Sequence, residues 1–222
     1  MLKNAKIAAR LIFWLITIGF TLLLMVNAFP YFTFNPEYSM LGEKPISIKS
    51  PLYFTLFYIH VASGLLCLTL GPVMFIQKLI GNGIHKKLGK LFAYNVFVLV
   101  PTGIYLSLYA KGGITSTFSF SLLGVLMVIC MLKGIQQIRK GNIKKHTEWM
   151  TRNYALAASA LTFRIFHIAL LYFSTDYIEV YLASVNLSLV ANLLIAELII
   201  ESKRRTFIKS KLSWEELRSL EH

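Results

Sequence analysis

Four histidines and one arginine are the residues of this 222-residue chain best suited to chemistry. His60 and His167 lie inside long apolar stretches, whereas His85 and His146 lie in basic loops just before apolar stretches begin. Imidazole is a usual axial ligand of haem iron, and helical bundles build such sites from facing helices. Arg164 lies three residues before His167 and therefore on the same face of a predicted helix.

Depth along the predicted helices sorts these histidines into two pairs. His60 lies eight residues and His167 six residues inside the outer ends of their apolar stretches. At helical rise, both lie roughly 9–12 Å below that boundary. His85 and His146 stand at the opposite, inner boundary. Two depth-matched pairs predict two bis-imidazole haem b sites, with transmembrane electron transfer, or the handling of haem or quinone, as the hypothesis for a membrane oxidoreductase.

Two neighbours of the histidines fit the same hypothesis. Gly64 is one turn from His60 and would let a flat macrocycle approach the backbone, although a glycine there also suits close helix packing. Arg164 would pair with a haem propionate or another anion. Because an arginine at membrane depth costs at least about 2.5 kcal/mol, we expect its side chain to face the protein interior. His60 has an alternative role as a core histidine bonded to a backbone carbonyl or to Asn186.

The elements that must position these residues are six apolar blocks. The chain is 56% hydrophobic, above the usual 45–50% or so of soluble domains, and each block is long enough to cross a hydrocarbon core of about 30 Å. The sequence therefore predicts an all-α integral membrane protein, a six-transmembrane-helix bundle followed by a basic tail at 203–222. Lys145 to Phe173 reads as one long helix. The predicted membrane helices are 7–29, 52–77, 91–110, 117–136, 153–173 and 181–200.

The placement of charge predicts the orientation and argues against one class of partner. The formal net charge is +13, and nineteen Lys and Arg residues flank the inner ends of the blocks, against three in the opposite loops. This bias places both termini in the cytoplasm and explains the charge without nucleic acid. A basic tail can also lie on anionic membrane lipid. The first block has no cleavage site and reads as a retained helix, and Leu220-Glu221-His222 resembles a tag remnant.

Three motifs resemble a bacterial family of predicted membrane proteins that is catalogued as a domain of unknown function. The likeness covers Leu52 to Glu201 and implies an integral protein of the bacterial cytoplasmic (inner) membrane. Thr147 stands where that family usually has arginine. The motifs are HVASGLLCLTLGPVMF from His60, HKKLGKLFAY from His85 and HTEWMTRNYALAASALTFR from His146. A looser likeness is to six-helix di-haem cytochromes b, although block four here lacks a histidine.

Two further functions stay open at this point. A small-molecule permease or binding protein would use a polar pocket around Arg164, with Asn95, Asn186 and Asn192 as further candidates. Its helices would break near Pro72 and Pro101, as transporter helices often do. A non-catalytic assembly factor for a respiratory complex would use the histidines for structure alone. Cys67 and Cys130 lie in apolar blocks and are predicted to be buried free thiols.

Overall fold

The computed structural model of the chain covers most of the predicted bundle. It describes residues 18–19, 21–35, 37–38, 41–45, 49–76 and 83–219, with the last thirteen described for their backbone only. Most of the first predicted helix and the tag remnant at 220–222 therefore lie outside the described residues. Cys67 and Cys130 are buried and free, as the sequence predicts.

All regular structure within the described ranges is helical. Four helices are long and apolar enough to cross a membrane, namely α2, α3, α4 and the Tyr177–Thr206 part of α7, and α1 and α6 are shorter apolar helices. The described residues thus form an all-α protein with four candidate membrane spans. The helices are α1 (Thr21–Thr33), α2 (Pro51–Met74), α3 (Gly83–Ser107), α4 (Gly113–Arg139), α5 (Ile143–Ala157), α6 (Ser159–Leu170) and α7 (Tyr177–Ser219).

Several helices extend beyond the apolar blocks that predicted them. α3 begins eight residues before the predicted start at residue 91 and α5 ten residues before residue 153. α7 continues as helix through the tail to Ser219. Hydropathy marks only the part of a helix that lies in lipid, and polar capping residues set the true ends. Asn142 is such a residue, because its side chain accepts a hydrogen bond of 3.0 Å from the Lys145 amide.

The predicted single helix from Lys145 to Phe173 is wrong, because the helix is interrupted at Ala158. There the Leu161 amide bonds back only three residues, to the Ala158 carbonyl at 2.9 Å. Asn192 of α7 donates from its amide to the hydroxyls of Ser159 and Thr162, at 3.0 and 2.8 Å. The interruption of the helix therefore coincides with a polar contact between α6 and α7.

The two prolines do not break their helices in the way that a permease would use. α3 continues through Pro101 to Ser107, and Pro72 lies within the last turn of α2. A proline inside a membrane helix is tolerated when neighbouring groups satisfy the freed carbonyl. The expectation of broken helices at these positions is therefore wrong.

Buried asparagines join the helices in pairs. The side-chain amide of Asn95 donates from α3 to the Ser63 carbonyl of α2 at 2.8 Å. Asn153 donates from α5 to the Met127 carbonyl of α4 at 2.6 Å, and Asn192 joins α7 to α6. In lipid the hydrophobic effect does not drive helix association, so packing and such interhelical hydrogen bonds hold the bundle.

The two ends of the bundle differ in chemistry. At the end where α2 begins, packed rings form what we name the aromatic end; the ring centroids of Tyr53 and Tyr109 are 5.5 Å apart, as are those of Tyr105 and Tyr109. The other end carries the starts of α3 and α5 and is named the basic end. Aromatic rings and cations at opposite ends are typical of the two membrane interfaces.

Candidate functional site

A cavity of about 1200 Å³ opens at the basic end between α2, α3, α4 and α5. Its walls are mostly apolar, and both His85 and His146 line it. On α5, His146 lies near the opening of the cavity, and Tyr154 lies eight residues deeper along the helix. Eight residues of helix give a depth of about 12 Å. The volume of the cavity exceeds the range of about 300–1,000 Å³ that is typical of small-molecule pockets.

His146 is oriented by a backbone carbonyl. Its Nδ1 lies 2.9 Å from the carbonyl oxygen of Gly134 on α4, so Nδ1–H donates and Nε2 carries the free lone pair. Histidines that bind metals are usually held in this way by their second ring nitrogen. Gly134 allows the close approach of α5, because a Cβ there would lie 2.7 Å from the sulfur of Met150.

His85 supplies a second imidazole to the same cavity. Its Nδ1 is buried and has no hydrogen-bond partner among the described residues. A buried polar atom without a partner is uncommon in native structures and calls for an explanation. A ligand in the cavity would provide one.

Tyr154 is a further polar group of this cavity. Its hydroxyl is buried and has no partner among the described residues. Its ring packs against Gly71 of α2, where a Cβ would be only 2.2 Å from the ring carbon Cδ2. Neither the aromatic–glycine contact nor the cavity has a local sequence motif that could reveal it.

Cations surround the opening of the cavity. Four basic side chains line it and are exposed to solvent: Lys86, Lys90, Arg139 and Lys140. Nearby, two ion pairs tie α5 to α7. The guanidinium of Arg152 pairs with Glu197 through bonds of 2.5 and 2.8 Å. Arg204 pairs with Glu148 at 2.8 and 2.6 Å and holds the pKa of that carboxyl below its usual range.

His60 and His167 have separate surroundings at the other end of the bundle. The Nδ1 atom of His60 donates to the Leu99 carbonyl of α3 at 3.1 Å, and its ring lies against Gly103. The backbone-bonded alternative therefore describes His60. The ring of His167 packs between Phe163 and two tyrosines of α7, with centroid distances of 5.2–6.1 Å. His60 thus faces α3 and His167 faces α7, and their haem ligation stays a prediction.

Arg164 differs from what the sequence suggests, whereas the macrocycle-contact role of Gly64 stays a prediction. The side chain of Arg164 is exposed on α6 rather than interior. Its Nη1 donates a hydrogen bond of 2.7 Å to the Ala160 carbonyl, one helical turn back. This bond satisfies part of the charged group within α6 itself. A Cβ at Gly64 would meet only Leu99 Cδ1, at 3.9 Å, so Gly64 serves no close approach among the described atoms. The anion-binding role of Arg164 stays a prediction.

The polar residues proposed for a permease do not meet in one pocket. Asn95 and Asn192 are each occupied by interhelical hydrogen bonds, and Asn186 accepts 3.0 Å from the hydroxyl of Ser119. None of these asparagines lines the basic-end cavity. Within the described residues, no group of three or more His, Cys, Asp or Glu side chains could hold a metal ion by itself.

The fold and the cavity define a polytopic helical membrane protein with a ligand-sized cavity at its basic end. Residues 57–200 match the family model described as "Predicted membrane protein (DUF2306)", and the chain belongs to this family. The family resemblance predicted from the three histidine motifs is thereby confirmed. No curated protein and no solved structure matches the chain. The looser likeness to di-haem cytochromes b stays a prediction.

Proposed function

We propose that this membrane protein binds one haem b in the basic-end cavity, with His85 and His146 as the axial ligands. The observation that carries the proposal is the pairing of two imidazoles in one mostly apolar cavity. His146 is already oriented through Nδ1 by the Gly134 carbonyl, so its Nε2 is free to bind iron. The His85 ring has a buried nitrogen without a protein partner.

The charge around the cavity supports an anionic, otherwise apolar ligand. Haem b carries two propionates on an apolar macrocycle. The four cations at the opening would bind those carboxylates by charge-assisted hydrogen bonds, which are roughly twice as strong as neutral ones. The apolar walls contributed by α3 and α4 would contact the macrocycle.

A haem held by two imidazoles suits electron transfer. His85 and His146 would hold the haem, and the haem would supply one-electron transfer. The redox partner would be a membrane quinone or a neighbouring redox protein. The second haem predicted at His60 and His167 has less support, since the two rings contact different helices.

Haem titration of the purified full chain tests this assignment. We expect one haem per chain, with binding lost in His85→Ala and His146→Ala and retained in His60→Ala and His167→Ala, the matched controls. Removing an axial ligand should weaken binding at least about tenfold, in line with losses at metal sites on ligand-shell mutation. Equal losses in both pairs of variants, or no saturable binding by the wild type, would contradict the proposal.

We infer further that the chain crosses the bacterial cytoplasmic membrane six times, with the basic end and both termini in the cytoplasm. Four helices are long enough to span singly. α5 and α6 together would form a fifth, bent span, and the first apolar block the sixth. The excess of Lys and Arg at the basic end supports the orientation.

The two other functions have no specific observation in their favour. A permease would need a shared polar pocket, and the asparagines proposed for it bond to separate helices. Transport of a small molecule that is lost in an Arg164 variant would support the permease function. A respiratory-complex assembly factor would be indicated by co-purification of the chain with such a complex.

A further inference from the structure

We propose that the deep part of the cavity, formed by Gly71, Phe92, Ala93 and Tyr154, binds the ring of a membrane quinone, with the Tyr154 hydroxyl donating to a quinone carbonyl. This site goes beyond the proposed haem site and does not require haem to be present. The unpaired hydroxyl is the first observation: it is buried, and the residue lines the cavity. A buried donor of this kind costs about 1–3 kcal/mol unless an acceptor reaches it.

The ring of Tyr154 is held in place at the depth of the cavity. The Tyr154 ring rests on the backbone of Gly71, where a side chain would collide with it at 2.2 Å. The Phe75 ring lies 6.0 Å from the Tyr154 ring and is tilted by 57° to it. These contacts fix the position of the hydroxyl, because the aromatic ring has little freedom to turn away from the cavity.

The distribution of charge separates the two parts of the cavity. The four cations lie around the opening, about 12 Å from Tyr154 along α5. The described polar group of the deep part is neutral and donates a hydrogen bond. An anion therefore fits the opening, and a neutral carbonyl compound fits the depth.

Access from the lipid favours a membrane-soluble ligand. Tyr94 of α3 and Leu132 of α4 line the cavity, yet they are 70% and 52% exposed, on helices that are long enough to span the membrane. On membrane-spanning helices such exposed side chains would adjoin the hydrocarbon, from which a membrane-soluble quinone would reach the cavity by lateral diffusion.

Binding of ubiquinone-1 to the detergent-purified full chain tests the site, measured by isothermal titration with and without bound haem. Tyr154→Phe removes only the hydroxyl and should weaken binding about fivefold, as expected for one lost hydrogen bond. Tyr172→Phe, at a side chain that is 85% exposed, is the matched control and should bind as the wild type does. The infrared carbonyl stretch of the bound quinone should lose its hydrogen-bonded downshift in Tyr154→Phe alone.

The outcomes separate this site from the haem site. His85→Ala and His146→Ala should lose haem and still bind ubiquinone-1. If Tyr154→Phe is poorly folded, Ala93→Leu narrows the cavity from α3 and should also weaken quinone binding. Unchanged affinity and an unchanged carbonyl stretch in Tyr154→Phe, or no binding by the wild type, would overturn the quinone site while leaving the haem titration to decide its own proposal.

Discussion

At the scale of single residues, His60 and His146 make the same kind of hydrogen bond but differ in what surrounds the ring. The Nδ1–H of His60 donates to the Leu99 carbonyl, 39 residues further along the chain. The Nδ1–H of His146 donates to the Gly134 carbonyl, and its ring lines the cavity. The sequence places His85 and His146 at one boundary, because both precede apolar blocks. It does not reveal the cavity, since cavities arise from how helices pack rather than from local sequence.

Gly71 provides a residue-scale prediction. Gly71→Ala would place a Cβ 2.2 Å from the Tyr154 ring, and a packed ring cannot move aside as a flexible chain can. Overpacking of this kind costs about 1–3 kcal/mol, so the thermal midpoint of the purified protein should fall. Gly64→Ala is the control, because its Cβ would lie 3.9 Å from the nearest atom. Equal midpoints for the two variants would show that the Gly71–Tyr154 contact is not as close as described.

At the scale of elements, the interruption between α5 and α6 is the main departure from the sequence reading. Ala158 is a good helix former, and nothing in its neighbours predicts a break there. The interruption coincides with a tertiary contact, because Asn192 on α7 donates to two hydroxyls in the first turn of α6. Hydropathy identified the long helices α2, α3 and α4 because each has a continuous apolar stretch, and it merged α5 with α6 for the same reason.

Asn192→Leu should loosen the contact of α6 with α7. It removes two interhelical hydrogen bonds, each worth about 0.6 kcal/mol on average in membranes and up to about 1.7. We expect a fall in unfolding free energy of about 1–3 kcal/mol, measured by thermal denaturation in detergent. Asn27→Leu is the matched control, because Asn27 is exposed and bonds only within its own helix. A loss no greater than that of the control would contradict the role given to Asn192.

The ion pair of Arg204 with Glu148, between α7 and α5, predicts that the stability of the fold depends on pH. Arg204 lowers the pKa of Glu148, so the pair stabilises the fold above the unfolded pKa of the carboxyl and loses that effect as pH falls through the folded value. Glu148→Gln should cost up to about 1 kcal/mol at pH 7, and its difference from the wild type should vanish in acid. Thermal midpoints between pH 7 and pH 3 measure this. Glu179→Gln, exposed and without an ion pair among the described residues, should differ little from the wild type at either pH.

At the scale of the whole molecule, the sequence predicted the class and the family, because apolar blocks and charge asymmetry are properties of the chain itself. It could not predict how α3 packs on α2 and α4, and α5 on α4, on which the cavity depends. It also placed Arg164 in the interior, whereas the side chain lies on the exposed face of α6. Its guanidinium donates to the Ala160 carbonyl of the same helix, which satisfies part of the charged group without a partner from another helix.

The orientation of the whole bundle can be tested by labelling single cysteines in intact cells. Cys67 and Cys130 are buried and contribute little background. We expect a membrane-impermeant maleimide to label Thr175→Cys in intact cells and Lys145→Cys only after permeabilisation, since both positions are exposed at opposite ends of the bundle. The reverse pattern would place the basic end outside and contradict the charge argument.

The reduced-minus-oxidised absorption spectrum of the full chain, purified from haem-supplemented cells, tests the central claim most directly. The account predicts the sharp α band of a six-coordinate, low-spin haem b that persists in His60→Ala and disappears in His85→Ala and His146→Ala. A wild-type protein without a Soret band, or one whose band is unaffected by loss of either basic-end histidine, would contradict it.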